Sequence, residues 1–258
     1  AFKAAKRVID EGGYAVGTKS DLTGGMNSLD KQNVMWGAGI QVADQAGGYA
    51  GFFTHMDNKE GAYAKSAPKL ISKQLYNRIS ATDIRRDWWD PSDKESPYVS
   101  KKFSFANVAS FLGDYIYMRV EEMYFTAAEA ALRLDDLKSA RELMNTAMAE
   151  RDPRYSANNR SGTLLGATTT TWTGSFLENI LTHRRIELWG EYGRLFDVRR
   201  LGQGIDRRTD DGFSEECISM MNRRNVNITK ADTYDWVLTI PKAELDANPN
   251  INEEDQNP

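Results

Sequence analysis

Residues 116–150 read IYMRVEEMYFTAAEAALRLDDLKSARELMNTAMAE, and the fold class turns on how they are read. Ile116, Val120, Met123, Ala127, Ala130 and Leu134 follow one another by alternating fours and threes. That interval lines side chains along one stripe of an α-helix. Asp135 or Asp136 then suits the cap of a second helix, because a short carboxylate accepts from the free amides of a first turn. The second helix carries Leu137, Ala140, Met144, Ala147 and Met148 and must end before Pro153, whose ring bars continuation. Helices joined this tightly fold back as an antiparallel hairpin. Ala128, Ala140 and Ala147, with Tyr124 ahead and Pro153 behind, also stand about where a tetratricopeptide unit places them, although any helical hairpin accounts for them equally. One such unit builds no solenoid, since roughly three are needed, so other helices must substitute or further repeats lie upstream.

Outside this pair, residues 1–14 read as the trailing helix of an upstream repeat, stopped by Gly12-Gly13. Residues 15–112 are glycine-rich with short apolar runs, which predicts an irregular, ligand-side region of loops and short helices with room for a hairpin. The helix pair occupies 113–153. A Ser/Thr/Gly/Asn-rich surface loop follows at 154–174, with Trp172 inside it. Ser175-Phe176-Leu177-Glu178 has capping-box spacing and starts a late helix that runs toward Gly190 and, after a bend, to Gly202, giving an element at 175–202. Residues 203–258 read as an irregular C-terminal region. The predicted architecture is mainly α: tetratricopeptide-like helical hairpins with long irregular loops and little β structure.

Composition narrows the functional classes. The chain has 258 residues and a formal net charge of -4, which leaves no basic excess for a phosphate backbone, so no nucleic acid is expected as a partner. Cys217 is alone and only His55 and His183 are present, so neither a disulfide nor a zinc site is expected, and no other metal or cofactor. No apolar run approaches the roughly 20 residues that span a bilayer. The first residues read as a helix already under way, as in a piece cut from a longer protein. Gly12 to Ser20 nearly spells a phosphate loop, but Thr18 separates Gly17 from Lys19 and the glycines follow a helix instead of a strand. Gly37-Ala38-Gly39 lacks the third glycine of a dinucleotide fingerprint. No nucleophile motif is present, and Asp83, Asp87 and Asp90 around Trp88-Trp89 read as incidental neighbours in an acid-rich chain. The chain is not expected to be an enzyme.

On the late helix, Arg184, Glu187, Glu191, Arg194, Asp197 and Arg200 recur every three or four residues. Opposite charges at that spacing form a structural ion-pair ladder more readily than an acid–base pair. The stretch around them, ILTHRRIELWGEYGRLFDVRR at 180–200, resembles the late helix of the SusD/RagB family, written Glu-Arg-Arg-x-Glu-Leu and then Glu-Gly-x-Arg-x-x-Asp-Leu-x-Arg. It departs at His183, where Glu is usual, and at Tyr192, where Gly is usual. RVEEMYFTAAEA at 119–130 is similar to the family's Arg-x-Ala-Glu-x-Tyr-Leu-x-x-Ala-Glu-Ala, with Ala140 and Asn145 following. Leu238-Thr239-Ile240-Pro241, Glu244-Leu245, Asn248-Pro249 and Gln256-Asn257-Pro258 resemble its closing signatures. Asp83-x-Arg85 and the helix before Gly13-Tyr14 also fit, so order and spacing agree over nearly the whole chain.

The resemblance, which is to the C-terminal half of the family, implies a surface-exposed lipoprotein of the outer membrane of Bacteroidetes. Such a protein binds glycans, or in some cases peptides, without cleaving them, and delivers them to a SusC-like TonB-dependent transporter. Its lipid anchor, the only expected link to the membrane, would lie in the missing N-terminal part. A sugar requires exposed aromatic faces with polar groups beside them. Tyr49, Phe52, Phe53 and His55 in a glycine-rich segment, Trp88 and Trp89 among charged residues, and Trp172 in its polar loop are the candidates. Adjacent side chains point to different faces, so one of Trp88 and Trp89 is expected outside; Trp36 and Trp189 are assigned to the core. Two rival readings remain: a tetratricopeptide-type adaptor, which needs more repeats, and a glycoside hydrolase, which needs two carboxyls about 5–9.5 Å apart.

Overall fold

The structure, a computed structural model, describes residues 1–44, 50–159, 174–191, 193–203, 205–206, 227–228 and 239–256. Tyr49, Trp172, Tyr192 and Cys217 lie outside them. The described part is mainly helical, and its few strands are short.

Helix α1 (Phe2–Glu11) ends where the Gly12 N–H donates to Val8 O and Gly13 turns at φ 73°. It buries Ala5, with Phe2 and Ile9 beside it, against a long helix further on. The glycine-rich segment holds α2 (Lys19–Thr23), strand β1 (Val34–Ala38), α3 (Phe52–Met56), α4 (Ala62–Ser66) and α5 (Lys73–Tyr76). Thr18 caps α2 in a complete capping box with Asp21. A 3-10 turn at Ile84–Trp88 leads into β2 (Trp89–Asp90), which pairs with β3 (Val99–Ser100).

Strand β4 (Tyr115–Arg119) pairs antiparallel with β1, setting Gly37 opposite Ile116. This corrects the helical reading of Ile116: the alternation in Tyr115-Ile116-Tyr117-Met118 is a strand signal once a partner edge is available. Helix α6 (Val120–Arg133) starts only after Arg119, whose φ of -127° is still extended. Its buried face also differs from the predicted stripe. Val120, Phe125, Ala127, Ala128, Ala131 and Leu132 are enclosed, whereas Leu134 is exposed past the helix end. Helices dock on α6 from several sides, so it buries more than one stripe.

Asp136 caps α7 (Leu137–Met148) by accepting from Ser139 N at 3.0 Å, after Asp135 has reversed the chain at φ 62°. Ala128, Ala140 and Ala147 are wholly buried where α6 and α7 approach. Ser175 caps α8 (Phe176–Glu187) by accepting from Glu178 N at 3.1 Å, while the Glu178 carboxylate accepts from Gly174 N, one residue before the cap. Gly190 at φ 75° and Gly193 at φ 98° bend the chain into α9 (Arg194–Arg200), as the sequence predicts. A Cβ on Gly190 would lie 2.7 Å from the Phe103 ring, so both its conformation and its surroundings require glycine. Strands β5 (Ile205–Asp206) and β6 (Asn227–Ile228) pair, and α10 (Lys242–Ala247) follows.

Among the described residues, three apolar clusters form the interior. The largest joins α1, α6, α7 and α8 through residues such as Phe125, Met144 and Ile180. A second gathers Leu22, Leu75, Trp88, Trp89 and Ile186, and a third Met26, Phe53, Phe103 and Phe105. Trp189, half-buried, packs against both of the smaller clusters.

Candidate functional site

The charged residues of the late helix face inward. Glu187 is fully buried at the end of α8 and is surrounded by three arginines. Arg85 Nη1 donates to its Oε2 at 3.0 Å, while Arg119 Nη1 and Arg151 Nη2 donate to its Oε1 at 2.9 and 3.0 Å. Arg85 is held in turn by Asp83 at 2.6 Å. Arg151 also donates to Glu121 Oε1, which accepts from Gly17 N and Asn33 Nδ2 as well. Glu191, beyond the helix end, takes Arg119 Nη2 at 2.6 Å and Lys102 Nζ at 2.5 Å.

Burial pushes the Glu187 carboxyl up, but Arg151, Arg119 and Arg85 outweigh it and hold the group well below the usual carboxylate range. Glu191 is likewise lowered, by Arg119 and Lys102 against its burial. For Lys102, burial is the largest influence and Arg119 adds to it, so the ammonium drops to about 8 despite Glu191. These carboxylates are fixed counter-ions, each engaged by cations.

Of the remaining predicted ladder residues, Arg184 bridges Glu122 at 2.6 Å and Asp197 at 3.0 Å. Arg200 joins Asp197 and Glu129, both at 2.8 Å. Arg194 has no ion pair among the described residues, and its burial lowers its pKa. Most of these pairs run across to other elements and tie α8 and α9 to the rest of the molecule.

The predicted aromatic platforms fare differently. Trp88 is 2% and Trp89 1% exposed, which corrects the expectation that one of them stands outside. The chain passes from a 3-10 turn into β2 between them, so the alternation of a single element does not apply. Trp88 Nε1 donates to Leu22 O at 2.8 Å, and Lys102 Nζ lies 4.6 Å from a Trp88 ring centroid. Phe53 is buried, so its candidacy as an exposed platform is corrected too: it is the inward side of a five-residue helix and fills the third cluster. Phe52 is half-buried, edge-on to Phe53 and Phe103. His55 is exposed and stacks flat on Tyr63, with centroids 4.7 Å apart and planes at 7°.

One of the most open large aromatics among the described residues, second to Phe196, is one assigned to the core from sequence. Trp36 is 61% exposed and Tyr117 40%. They sit on the paired strands β1 and β4, rings 5.1 Å apart at 66°, and make an aromatic corner on a hydrogen-bonded ribbon. The ribbon stands on the charged hub: the strands end at Val34 opposite Arg119, and Asn33 and Arg119 reach Glu121 and Glu187. The available sequence signal was Tyr117 alternating with Ile116 and Met118, but it has meaning only beside β1.

The sequence profile described as the SusD family matches residues 91–258. No curated protein matches the chain. Among solved structures, a SusD-like carbohydrate binding protein from Bacteroides vulgatus superimposes with a TM-score of 0.75 at 23% identity, over 97% of this chain and 54% of that one. A SusD superfamily protein from Bacteroides thetaiotaomicron gives 0.70 at 22%, over 100% and 56%. Surface glycan-binding protein A from Bacteroides uniformis gives 0.55 at 17%, over 99% and 55%. The chain thus spans about half the length of the structures it matches, and at these identities the likeness is one of fold. The profile covers α6 to α9 with their buried ion pairs as well as the chain's end, and on that match the chain belongs to the SusD family.

Proposed function

We propose that this chain is part of a glycan-binding protein that captures oligosaccharide or polysaccharide at the outer membrane surface and does not cleave it. The observation that carries the reading is the exposed Trp36–Tyr117 corner. Two large rings held at an angle on paired strands present apolar faces to the C–H faces of a pyranose without an ordering cost at binding. The stacked His55–Tyr63 pair is a second exposed aromatic surface. Binding without catalysis is supported by the state of two enclosed acids: Glu187 and Glu191 are engaged by cations that hold their carboxyls low, which makes them poor proton donors. Membership of the SusD family and the likeness to a surface glycan-binding protein support the glycan over other ligands.

In this reading the protein is a surface-exposed lipoprotein, anchored through a lipid outside the present chain, and hands its ligand to a SusC-like TonB-dependent transporter. Calorimetry of the full-length protein with a panel of polysaccharides tests it. Trp36→Ala should weaken binding of the responsive glycan by at least about tenfold, the cost of one lost aromatic platform. Unchanged affinity in Trp36→Ala moves the site away from the ribbon, and no binding of any glycan by the wild type rejects the function.

A further inference from the structure

Beside the base of β4, where α2 and the turn after it meet Ile116, a narrow cleft opens between Asp21, Met26, Asn27, Lys31, Asn33 and Ile116. Its polar lining is lopsided. Asn33 is 2% exposed, and its Nδ2 is spent on Glu121 Oε1 at 2.9 Å. Its Oδ1 accepts from no described residue, yet it is not among the polar atoms sealed off without a partner. Asn27 repeats the pattern: Nδ2 donates to Ser104 O at 3.0 Å, and Oδ1 accepts from no described residue. An amide oxygen open to the cleft takes its hydrogen bond from solvent, and an incoming hydroxyl can replace that bond.

The rest of the lining selects among hydroxyl bearers. Met26 and Ile116 supply apolar wall. Lys31 Nζ, 3.4 Å from Asp21 Oδ1, places a donor at the rim. Arg119, which also borders the cleft, has its guanidinium committed to Glu187 and Glu191. A carboxylate has no proton to give two amide oxygens and would meet Asp21. A bare C–H edge would leave both oxygens unsatisfied. A hydroxymethyl arm suits the lining: its methylene against the apolar wall, its hydroxyl donating to one of the two amide oxygens and accepting from Lys31 at the rim.

We propose that this cleft is a subsite for the exocyclic hydroxymethyl group of a neutral hexose, so that the protein prefers hexose glycans to pentose glycans. The inference rests on the glycan reading above and adds a substrate class to it. The test is calorimetry of the full-length protein with neutral gluco-, manno- and galacto-oligosaccharides and, as the pentose counterpart, xylo-oligosaccharides. Gly24 also borders the cleft and has φ -83°, and a Cβ there would have Ser20 O at 3.3 Å as its nearest neighbour, so Gly24→Leu fills the mouth at little backbone cost.

Wild type should bind one of the hexose series at least about tenfold more tightly than the xylose series, the worth of one or two satisfied hydrogen bonds. Gly24→Leu should erase that preference with an unchanged melting temperature. If Gly24→Leu does not fold, Lys31→Met at the rim should narrow the preference in the same way. Glycan binding with no hexose preference, or a preference that survives both variants, overturns the subsite and leaves the glycan reading standing. Absence of binding to every oligosaccharide and polysaccharide overturns both.

Discussion

Glu187, fully buried, accepts from three arginines, and the consequence of changing it follows from the charges left behind. Glu187→Gln keeps the shape but leaves Arg85, Arg119 and Arg151 without their common counter-ion. Stripping one partner from a buried pair costs roughly 3–5 kcal/mol, so chemical denaturation of Glu187→Gln should show a loss of that order. A loss under 1 kcal/mol would mean that the hub is far wetter than its burial indicates. Lys102 gives a pH signature of definite sign. Its folded pKa is about 8 against 10.5 for the free group, so between those values the unfolded chain binds the extra proton. Stability carried by this group therefore rises with pH across that window, and below about 8 its burial penalty is present in full. The melting temperature of wild type relative to Lys102→Met should shift in wild type's favour from pH 8 to pH 10; a shift the other way rejects the assignment. At this scale sequence revealed the charges but not their partners. Glu187 was legible at helical spacing from Arg184 and Glu191, yet Arg85 and Arg119 come from segments 102 and 68 residues away.

Among the elements, the bend between α8 and α9 carries the sharpest prediction. Gly190 has a left-handed φ and a ring 2.7 Å from where a Cβ would stand. Gly190→Ala should cost about 1–3 kcal/mol by thermal denaturation, whereas Gly202→Ala, strained in φ but open around its Cβ, should cost less. Equal costs would show that the contact with Phe103 yields. The helices were readable because their causes are local: the Ser175 cap, the Asp136 cap, Gly12 and the periodicity of α7 all lie within a few residues of what they determine. The ribbon was not, since β1 and β4 define each other from opposite ends of the glycine-rich segment. Without that pairing Ile116 looks helical and Trp36 looks like core. The Trp88-Trp89 pair failed for a related reason: the change of element between them is set by the β3 partner, not by the dipeptide.

For the molecule as a whole, most of the buried ion pairs cross between elements instead of stabilising single helices, and that decides what can be removed. A chain ending at residue 174 retains α1, the ribbon and the α6–α7 hairpin but lacks Glu187 and Glu191. It should show no cooperative unfolding transition in circular dichroism, while a chain carried through residue 203 should show one. A sharp transition in the shorter chain would make the hub dispensable.

The Arg151 guanidinium donates to the Gly17 carbonyl, 134 residues away in sequence, and to Glu187, 36 residues further on. During synthesis this places an order on events. The early loop, the ribbon and the hairpin all emerge before the acid that joins their arginines, so Arg85, Arg119 and Arg151 lack their common counter-ion until the last third of the chain appears. Completion of this half is therefore a late, nearly simultaneous step, and the nascent chain stays loose for most of its journey from the ribosome.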